Sequence, residues 1–456
     1  MNDLLVRRPF DNAQFPPMVA DAYRSLLRDA HEALDEAEVP ALGRRAWIVP
    51  GRIEVLGKHV DYAGGRSLLC TVERGIVIVA RPRDDRHVVL RDARRREALS
   101  LALDTAAKGS MPWAIYPRTV INRLVRNFGS AVGGADFSLA SNLPPAAGVS
   151  SSSALTVGLT LAFAALYDLP SHPLWQEALT DRPALAGYVG AIENGKDYGV
   201  LSGEKGVGTM GGAQDQTAIL CSERQRLDVF SWAPVTFEQS VAWPATHTFV
   251  VAVSGVVAAK TGAAKERYNR AARTAHRLVD AWNASGGPQV RTLRDAFFAA
   301  AGASVIDEIP PALVTVAEHA ANAEFTANHL VGRLGQFFDE TFVIVPQAAV
   351  ALERGDLTAF GRLVDLSQAG AERALENQIA ETVHLQRYAR DLGATAASAF
   401  GAGFGGAVWA MIPKAEAERF AGRWRDRYVR AHHSAAHRSL FFTTDPSPPA
   451  FELLEG

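Results

Sequence analysis

The sequence has few cysteines and no long hydrophobic segment, and both absences narrow the class of protein. Only Cys70 and Cys221 occur among 456 residues, too few for a disulfide framework and without the spacing of a metal site. No apolar run approaches the ~18 residues that a membrane span requires. The first residues also lack the apolar core of a signal peptide. We therefore expect a cytoplasmic protein that does not associate with a membrane.

An excess of charge of either sign is also absent. The 47 Lys and Arg residues nearly balance the 49 Asp and Glu residues, which gives a formal net charge of −2. Proteins that bind nucleic acid or anionic membranes usually carry a strongly basic surface, so we expect neither partner. The hydrophobic content of 48% and the charged content of 21% are ordinary for a globular protein. A chain of this length can form two domains, each with its own core.

Hydrophobic periodicity predicts a mixture of helices and strands. An amphipathic helix is expected within residues 17–46, followed by a strand over Trp47–Gly57 in which Pro50-Gly51 forms a break or bulge. Val72–Arg81 and His87–Leu90 are predicted to pair as a hairpin. Further predictions are a helix over Ile115–Phe128, strands over Ala135–Ser141, Phe249–Ser254 and Ala407–Pro413, and mostly helix over Ala263–Leu392. Prolines near residues 233–246 indicate a boundary between domains 1–240 and 241–456.

A serine-rich loop lies at the centre of the chain. Pro144-Pro145 ends the preceding element, and four serines, Ser150–Ser153, lead into an apolar stretch that predicts a buried helix over Ala154–Tyr167. The N-terminus of such a helix offers free backbone N–H groups and the positive end of the helix dipole, which suit a phosphate group. The alternative is a loop in which one serine caps the helix and nothing more.

Two glycine-containing segments resemble nucleotide-binding motifs only superficially. Gly401-x-Gly403-x-x-Gly406 matches the dinucleotide fingerprint, but that fingerprint must open a helix, and a strand that ends at Pro413 is predicted here instead. The glycines are therefore expected to permit close backbone approach. Ser254–Thr261 has serine and alanine where a P-loop requires glycine. If the protein binds phosphates, we expect the serine loop to hold them.

Two other glycine-flanked segments concentrate polar residues. Gly51–Gly65 contains Arg52, Lys58, His59 and Asp61, a set that suits hydrogen bonding to a polyol. Gly206–Gln216 places the carboxylate of Asp215 just after a glycine turn, where it could accept a proton from a hydroxyl nucleophile. A solvated turn and a carboxylate at the start of a helix are the alternatives.

In this order along the chain, these segments resemble the small-molecule kinases named after galactose, homoserine, mevalonate and phosphomevalonate. Within this family, the segments are most similar to those of galactokinases. The likeness is carried by Pro50–Gly65, Leu143–Ala154, Gly211–Gln216 and Gly401–Gly406, and it extends to Ser254 with Tyr268–Arg273.

The resemblance implies an α/β (α+β) fold of two domains with the active site between them. The N-terminal half would be like ribosomal protein S5 domain 2, and the C-terminal half would be ferredoxin-like. It also implies that the protein uses ATP and Mg²⁺ and phosphorylates the anomeric hydroxyl of a hexose. Galactose is the expected substrate.

The resemblance also assigns site residues. The implied catalytic residues are Asp215 and Arg52, and the implied Mg²⁺ ligands are Ser152 and Glu193. The sugar-binding residues would be Lys58, His59, Asp61, Gly212 and Tyr268, and the ATP-binding residues Gly148, Val149, Ser150, Ser151, Ser152 and Ser153.

Three features of the sequence depart from the family pattern. Lys58 stands where family members usually carry a glutamate that contacts the sugar, so an acidic sugar such as galacturonic acid is an alternative substrate. Ala146 replaces a glycine of the phosphate loop. The segment between Glu193 and Asp215 is long, which makes Glu204 a rival of Glu193. A non-catalytic sugar sensor is a further alternative, although retention of Arg52, Ser152 and Asp215 favours catalysis.

Overall fold

The protein is described by a computed structural model that covers residues 4–103, 112–145, 147–256 and 262–454. Within these ranges the helices are α1 (Pro17–Asp35), α2 (Ile115–Phe128), α3 (Ser151–Leu166), α4 (Pro173–Ala178), α5 (Arg182–Asn194), α6 (Gln214–Cys221), α7 (Gly262–Ala284), α8 (Leu293–Ala301), α9 (Pro311–His319), α10 (Ala327–Phe338), α11 (Val345–Glu353), α12 (Leu357–Gly370), α13 (Ala380–Asp391), α14 (Ala417–Ala431) and α15 (His433–Ala436). π-Helical segments cover Asp339–Ile344 and Ala371–Leu375. None of the described helices is both long and apolar enough to span a membrane.

The strands form two sheets. Their bounds are β1 (Arg7–Pro9), β2 (Arg45–Leu56), β3 (Arg66–Arg83), β4 (His87–Asp92), β5 (Glu97–Ala102), β6 (Gly134–Ser141), β7 (Arg226–Ser231), β8 (Thr236–Ala242), β9 (His247–Val253), β10 (Ala396–Phe400), β11 (Ala407–Pro413), β12 (Leu440–Thr444) and β13 (Phe451–Leu454).

The first sheet has the order β1-β13-β2-β3-β6-β4-β5, and β7 and β8 extend it from the other half of β3. The register of β2 and β3 shifts between Pro50 and Arg52, which confirms the predicted Pro-Gly irregularity. Helix α3 packs on this sheet, and a Cβ on its Gly158 would lie 2.5 Å from Ile78 and 3.0 Å from Val49. The predicted apolar helix is therefore packed against β3 and against β2, the strand that carries Arg52.

The predicted hairpin between the segments Val72–Arg81 and His87–Leu90 is wrong. Both segments are strands, in β3 and β4, but β6 lies between them and pairs antiparallel with β3 and parallel with β4. The apolar alternation that identified the strands sets which face is buried. It carries no information about which neighbour supplies the hydrogen bonds.

The second sheet has the order β10-β11-β9-β12, and all its neighbouring strands are antiparallel. In chain order this is the second, third, first and fourth strand, which confirms the ferredoxin-like C-terminal half. Helices α7 to α13 lie between β9 and β10. Trp424 of α14 and Leu385 of α13 are buried against the sheet.

The chain passes from the first sheet to the second between β8 and β9. The boundary between domains 1–240 and 241–456 lies next to this connection and stays a prediction. Strand β13 returns to the first sheet, where it pairs with β1 and β2. The first sheet therefore combines strands from both ends of the described chain.

Candidate active site

Two adjoining cavities lie between the sheets, and Arg52 and Ala402 line both of them. We call the first the polar cavity; its walls include Arg52, Glu54, His59, Asp61, Tyr62, Glu193, Thr209, Gly212, Gln214, Asp215, Gln216, Tyr268 and Ala402. We call the second the serine-loop cavity; its walls include Arg52, Ile76, Asp92, Arg95, Trp113, Tyr116, Leu139, Leu143, Gly148, Ser150, Ser151, Ser152, Leu155, Phe400 and Ala402.

The buried Arg52 and the partly buried Asp215 form an ion pair where the cavities meet. The Nε and one terminal nitrogen of Arg52 lie 2.8 and 2.6 Å from Asp215 Oδ1. The other terminal nitrogen donates to the Gly148 carbonyl at 2.5 Å. Ser150 and Ser153 donate to Asp215 Oδ2 at 2.5 and 3.3 Å. The structure therefore brings together a carboxylate, a fixed cation and the serine loop, which the sequence places far apart.

The serine loop presents the N-terminus of α3 to the second cavity. Ser150 occupies the N-cap position with φ 59°, and its side chain makes no capping bond because it donates to Asp215. The alternative in which a serine hydroxyl caps this helix is therefore not realised at Ser150. The first-turn N–H groups stay available for an anion. Val149 is buried in the loop, whereas Ser151 and Ser152 line the cavity.

The glycine turn between β10 and β11 packs against the serine loop. Gly401 has φ 79°, and a Cβ there would lie 3.1 Å from the Gly148 carbonyl. Gly148 also has φ 79°, and its own Cβ would lie 3.3 Å from the Phe400 carbonyl. The glycines thus permit close backbone approach and lead into strand β11, which confirms that this segment is not a dinucleotide fingerprint.

His59, Asp61 and Tyr268 converge on the polar cavity. His59 has φ 56°, and its Nε2 and Nδ1 lie 3.1 Å from the Ala402 carbonyl and the Tyr62 hydroxyl, respectively. Its ring centroid is 5.4 Å from that of Tyr268. Burial raises the pKa of Asp61, and the nearby charge of Asp215 raises it further. These groups therefore present hydrogen-bond donors and acceptors to one cavity.

Gly212 is required where the Asp61 side chain approaches the α6 N-terminus. A Cβ at Gly212 would lie 2.6 Å from Asp61 Oδ2. The same carboxylate oxygen accepts from the Gln214 backbone N–H at 3.4 Å. Gly212 therefore contributes by leaving room for a neighbouring carboxylate.

Helix α10 and the π-helical segment after it hold the loop that carries His59 and Asp61. Glu340 Oε2 accepts from the Gly57 N–H at 2.9 Å, and Gln336 Nε2 donates to the Lys58 carbonyl at 3.1 Å. Arg333 donates to the His59 carbonyl at 2.5 Å. Sequence reasoning missed these three supporting residues, since only long-range packing brings α10 and the π-helical segment to the loop.

Lys58 does not line the polar cavity. Its ammonium is 1% exposed and donates to Ser367 Oγ at 2.8 Å, and Ser367 donates to Glu340 Oε1 at 2.5 Å. Burial lowers the pKa of Lys58, while the charges of Glu340 and Glu54 oppose that shift. Lys58 therefore belongs to a buried ionic cluster behind the cavity, an arrangement that gives no support to recognition of an acidic sugar.

The two implied Mg²⁺ ligands lie in different cavity walls. Glu193 lies in the last turn of α5 and lines the polar cavity, where its Oε1 accepts from Gln216 Nε2 at 2.8 Å. Ser152 lines the serine-loop cavity, and its hydroxyl makes no hydrogen bond with the described residues. Glu204 lies 3.3 Å from Arg126 near the surface and lines neither cavity, so the geometry favours Glu193. Among the described residues, no cluster of three His, Cys, Asp or Glu side chains is arranged to hold a metal ion.

The serine-loop cavity also has apolar and aromatic lining residues. They are Ile76, Trp113, Tyr116, Leu139 and Leu155. Trp113 Nε1 donates to Glu97 Oε2 at 3.0 Å. Sequence reasoning did not find these residues, because aromatic side chains at the start of an ordinary amphipathic helix carry no distinctive spacing. Ala146 and most of the Ser254–Thr261 segment lie outside the described residues.

Comparison with known proteins agrees with this geometry. The galactokinase galactose-binding signature matches residues 37–82. The GHMP kinases N terminal domain matches residues 116–223, and the GHMP kinases C terminal domain matches residues 348–430.

Similar proteins were also found over nearly the full length of the chain. A galactokinase from Roseiflexus sp. (strain RS-1) is 27% identical over 391 residues, covering 86% of this chain and 88% of that protein. The structure of Lactococcus lactis galactokinase complexed with galactose superimposes with a TM-score of 0.73 at 22% identity, over 92% of this chain and 98% of that one. Streptococcus pneumoniae phosphomevalonate kinase has a TM-score of 0.54 at 13% identity, over 84% and 97%.

The two sheets are those of the two-domain GHMP kinase fold. Along the chain, the three family matches cover first the Gly51–Gly65 segment, then the serine loop with α3, and last the C-terminal helices with the glycine turn. The chain therefore belongs to the GHMP kinases, as a galactokinase-like, ATP-dependent sugar kinase.

Proposed function

We propose that the protein transfers the γ-phosphoryl group of ATP to the anomeric hydroxyl of galactose. The observation that carries this proposal is the Arg52–Asp215 pair at the junction of the two cavities. The galactose-binding signature over residues 37–82 and the Roseiflexus galactokinase support galactose as the hexose.

The polar cavity is the proposed sugar site. Asp61 and Tyr268 supply a carboxylate and a hydroxyl that can pair with sugar hydroxyls. His59 is fixed on both ring nitrogens, so it contributes mainly through its ring face and position. Gly212 keeps the space that Asp61 needs.

The serine-loop cavity is the proposed ATP site. The phosphates would lie along Gly148–Ser153, on the uncapped N-terminus of α3. The adenine would lie against Trp113 and Tyr116, whose aromatic faces suit a planar base.

Mg²⁺ fits the oxygen donors that the two walls offer. Ser152 has a hydroxyl that is not engaged by the described residues, and Glu193 has a carboxylate in the adjoining wall. When bound with ATP, the ion would neutralise charge on the transferred phosphate. Ser152 and Glu193 are the residues proposed to hold it.

Asp215 is proposed to take up or orient the proton of the sugar hydroxyl. Arg52 keeps this carboxylate ionised and fixed, because two of its nitrogens bond to Oδ1. Through its bond to the Gly148 carbonyl, the same guanidinium stands beside the phosphate loop and can offset charge there. A sugar sensor would need neither the carboxylate nor the cation, so the pair favours catalysis.

The direct experiment is a panel of neutral and acidic sugars incubated with ATP labelled in the γ position. Galactose is expected to be the preferred acceptor, and NMR of the product should place the phosphate on the anomeric oxygen. Binding of galactose without any phosphorylated product would point to a sensor. Phosphorylation at another carbon would refute the proposed reaction.

A further inference from the structure

Glu54 is a buried carboxylate in the wall of the polar cavity. It lies in strand β2, two residues after Arg52, and is 3% exposed. Its Oε2 accepts from Gln214 Nε2 at 2.8 Å. Its Oε1 is buried and has no hydrogen-bond partner among the described residues. Half of this carboxylate is therefore satisfied by the protein and half is not.

An unpartnered carboxylate oxygen in an apolar interior is unfavourable, because its lost hydration is not replaced. Because the Glu54 side chain also lines the polar cavity, a ligand hydroxyl bound there can supply the missing bond. Gln214 fixes the orientation of the carboxylate, and Gln214 is in turn adjacent to Asp215 in α6. The free oxygen is thus held in place by the helix that carries the proposed catalytic base.

The neighbouring cation does not compete for this oxygen. Lys58 Nζ donates to Ser367, which bonds to Glu340, and none of these three residues lines the polar cavity. The charges of Lys58 and Arg52 lower the pKa of Glu54, but burial dominates and raises it to about 8. A sugar hydroxyl both donates and accepts, so it can bond to the carboxyl in either protonation state.

We propose that Glu54 is a substrate-binding residue that hydrogen-bonds to a sugar hydroxyl other than the one phosphorylated. The inference rests on the proposed galactokinase function and extends it, because neither the sequence motifs nor the family matches assigned a role to this position. The alternative is that Glu54 serves only as a counter-ion for Lys58. The two differ in whether the effect of Glu54 depends on one particular hydroxyl of the substrate.

The test combines variants of Glu54 with monodeoxygalactoses. Glu54→Met keeps the length of the side chain and removes both hydrogen-bonding oxygens. We expect it to raise KM for galactose roughly 10- to 100-fold, the usual cost of leaving a buried polar group of the ligand without its hydrogen bond, with kcat changed only a few-fold. The wild-type enzyme should show a similar loss with one monodeoxygalactose, and that loss should disappear in Glu54→Met. Glu54→Gln should recover part of the affinity.

Glu340→Gln is the matched control, because Glu340 belongs to the same ionic cluster and does not line the polar cavity. Any change in its KM should be alike for galactose and all monodeoxygalactoses. Circular dichroism checks that each variant folds. If Glu54→Met does not fold, Glu54→Gln is compared with wild type on the same set of sugars. In one outcome, wild type phosphorylates galactose while each monodeoxygalactose loses the same affinity in the Glu54 variant as in wild type. That result would refute the role of Glu54 and leave the proposed function intact. If wild type phosphorylates no hexose, the proposed function fails and this inference with it.

Discussion

Replacing Asp215 by Asn removes the charge of the proposed base while keeping its shape. Asn Oδ1 can still accept from Arg52, at the positions that lie 2.8 and 2.6 Å away in the structure. The Asn amide would face the Ser150 hydroxyl, which can rotate from donor to acceptor. The local geometry should therefore survive, and both ligands should bind within a few-fold of wild type.

The expected loss lies in turnover. A positioned base contributes roughly 10²–10⁴ in rate, which corresponds to about 3–5 kcal/mol of activation free energy. The variant also leaves the Arg52 guanidinium, 3% exposed, without its counter-ion. Because the neutral hydrogen bonds remain, we expect the free energy of unfolding to fall by about 1–3 kcal/mol. Catalysis should therefore suffer more than stability.

The assay is steady-state phosphorylation of galactose, with calorimetry for binding of each substrate and urea denaturation for stability. Asp228→Asn is the control, since Asp228 is buried outside both cavities and accepts from Ser240 and the Glu223 N–H. It should lose stability and keep kcat. If Asp215→Asn keeps more than half of the wild-type kcat, the reasoning about this carboxylate is refuted.

Three further predictions follow from other parts of the site. Ser152→Ala should raise the Mg²⁺ concentration for half-maximal activity roughly tenfold, whereas Ser151→Ala should not; identical Mg²⁺ titrations of both variants would count against Ser152 as a ligand. Lys58→Met should lower the free energy of unfolding by about 3–5 kcal/mol, since it leaves buried carboxylates without their cation. Galactose should stay preferred over galacturonic acid in that variant and in wild type, and efficient turnover of the acid by wild type would contradict this. Because the pKa of Glu54 is raised from 4.5 to about 8, the folded state holds its proton more tightly, and the associated stability is present below pH 4.5 and lost as the pH rises through about 8. Melting temperatures of Glu54→Gln relative to wild type should therefore increase between pH 5 and pH 8, and a difference independent of pH would show that Glu54 does not titrate this way.

The sequence predicted the elements of the fold better than their arrangement. The helix over Ile115–Phe128 begins and ends at the predicted residues, because its amphipathic pattern is set locally. The pairing of β3 and β4 was wrong, since insertion of β6 between them is a long-range choice that alternation does not encode.

In the site, too, the sequence predicted locally encoded motifs but not the long-range contacts. Glycine-flanked motifs indicated Arg52, His59, Asp61 and Asp215, and the structure brings them to one cavity. The roles assigned to these residues stay predictions. The burial of Lys58 against Ser367 could not be predicted, because the helix that carries Ser367 lies about 300 residues further along the chain. Polar residues that support a loop from behind have no motif of their own.

The position of β13 bears on how the protein is made. Phe451 pairs with Ile48, and Leu454 pairs with Pro9 of β1. During synthesis, the edge of β2 therefore emerges from the ribosome long before its partner exists. An unpaired strand edge is a site of misassociation. We therefore expect completion of the first sheet to be a late event in folding, which follows translation of residues 451–454.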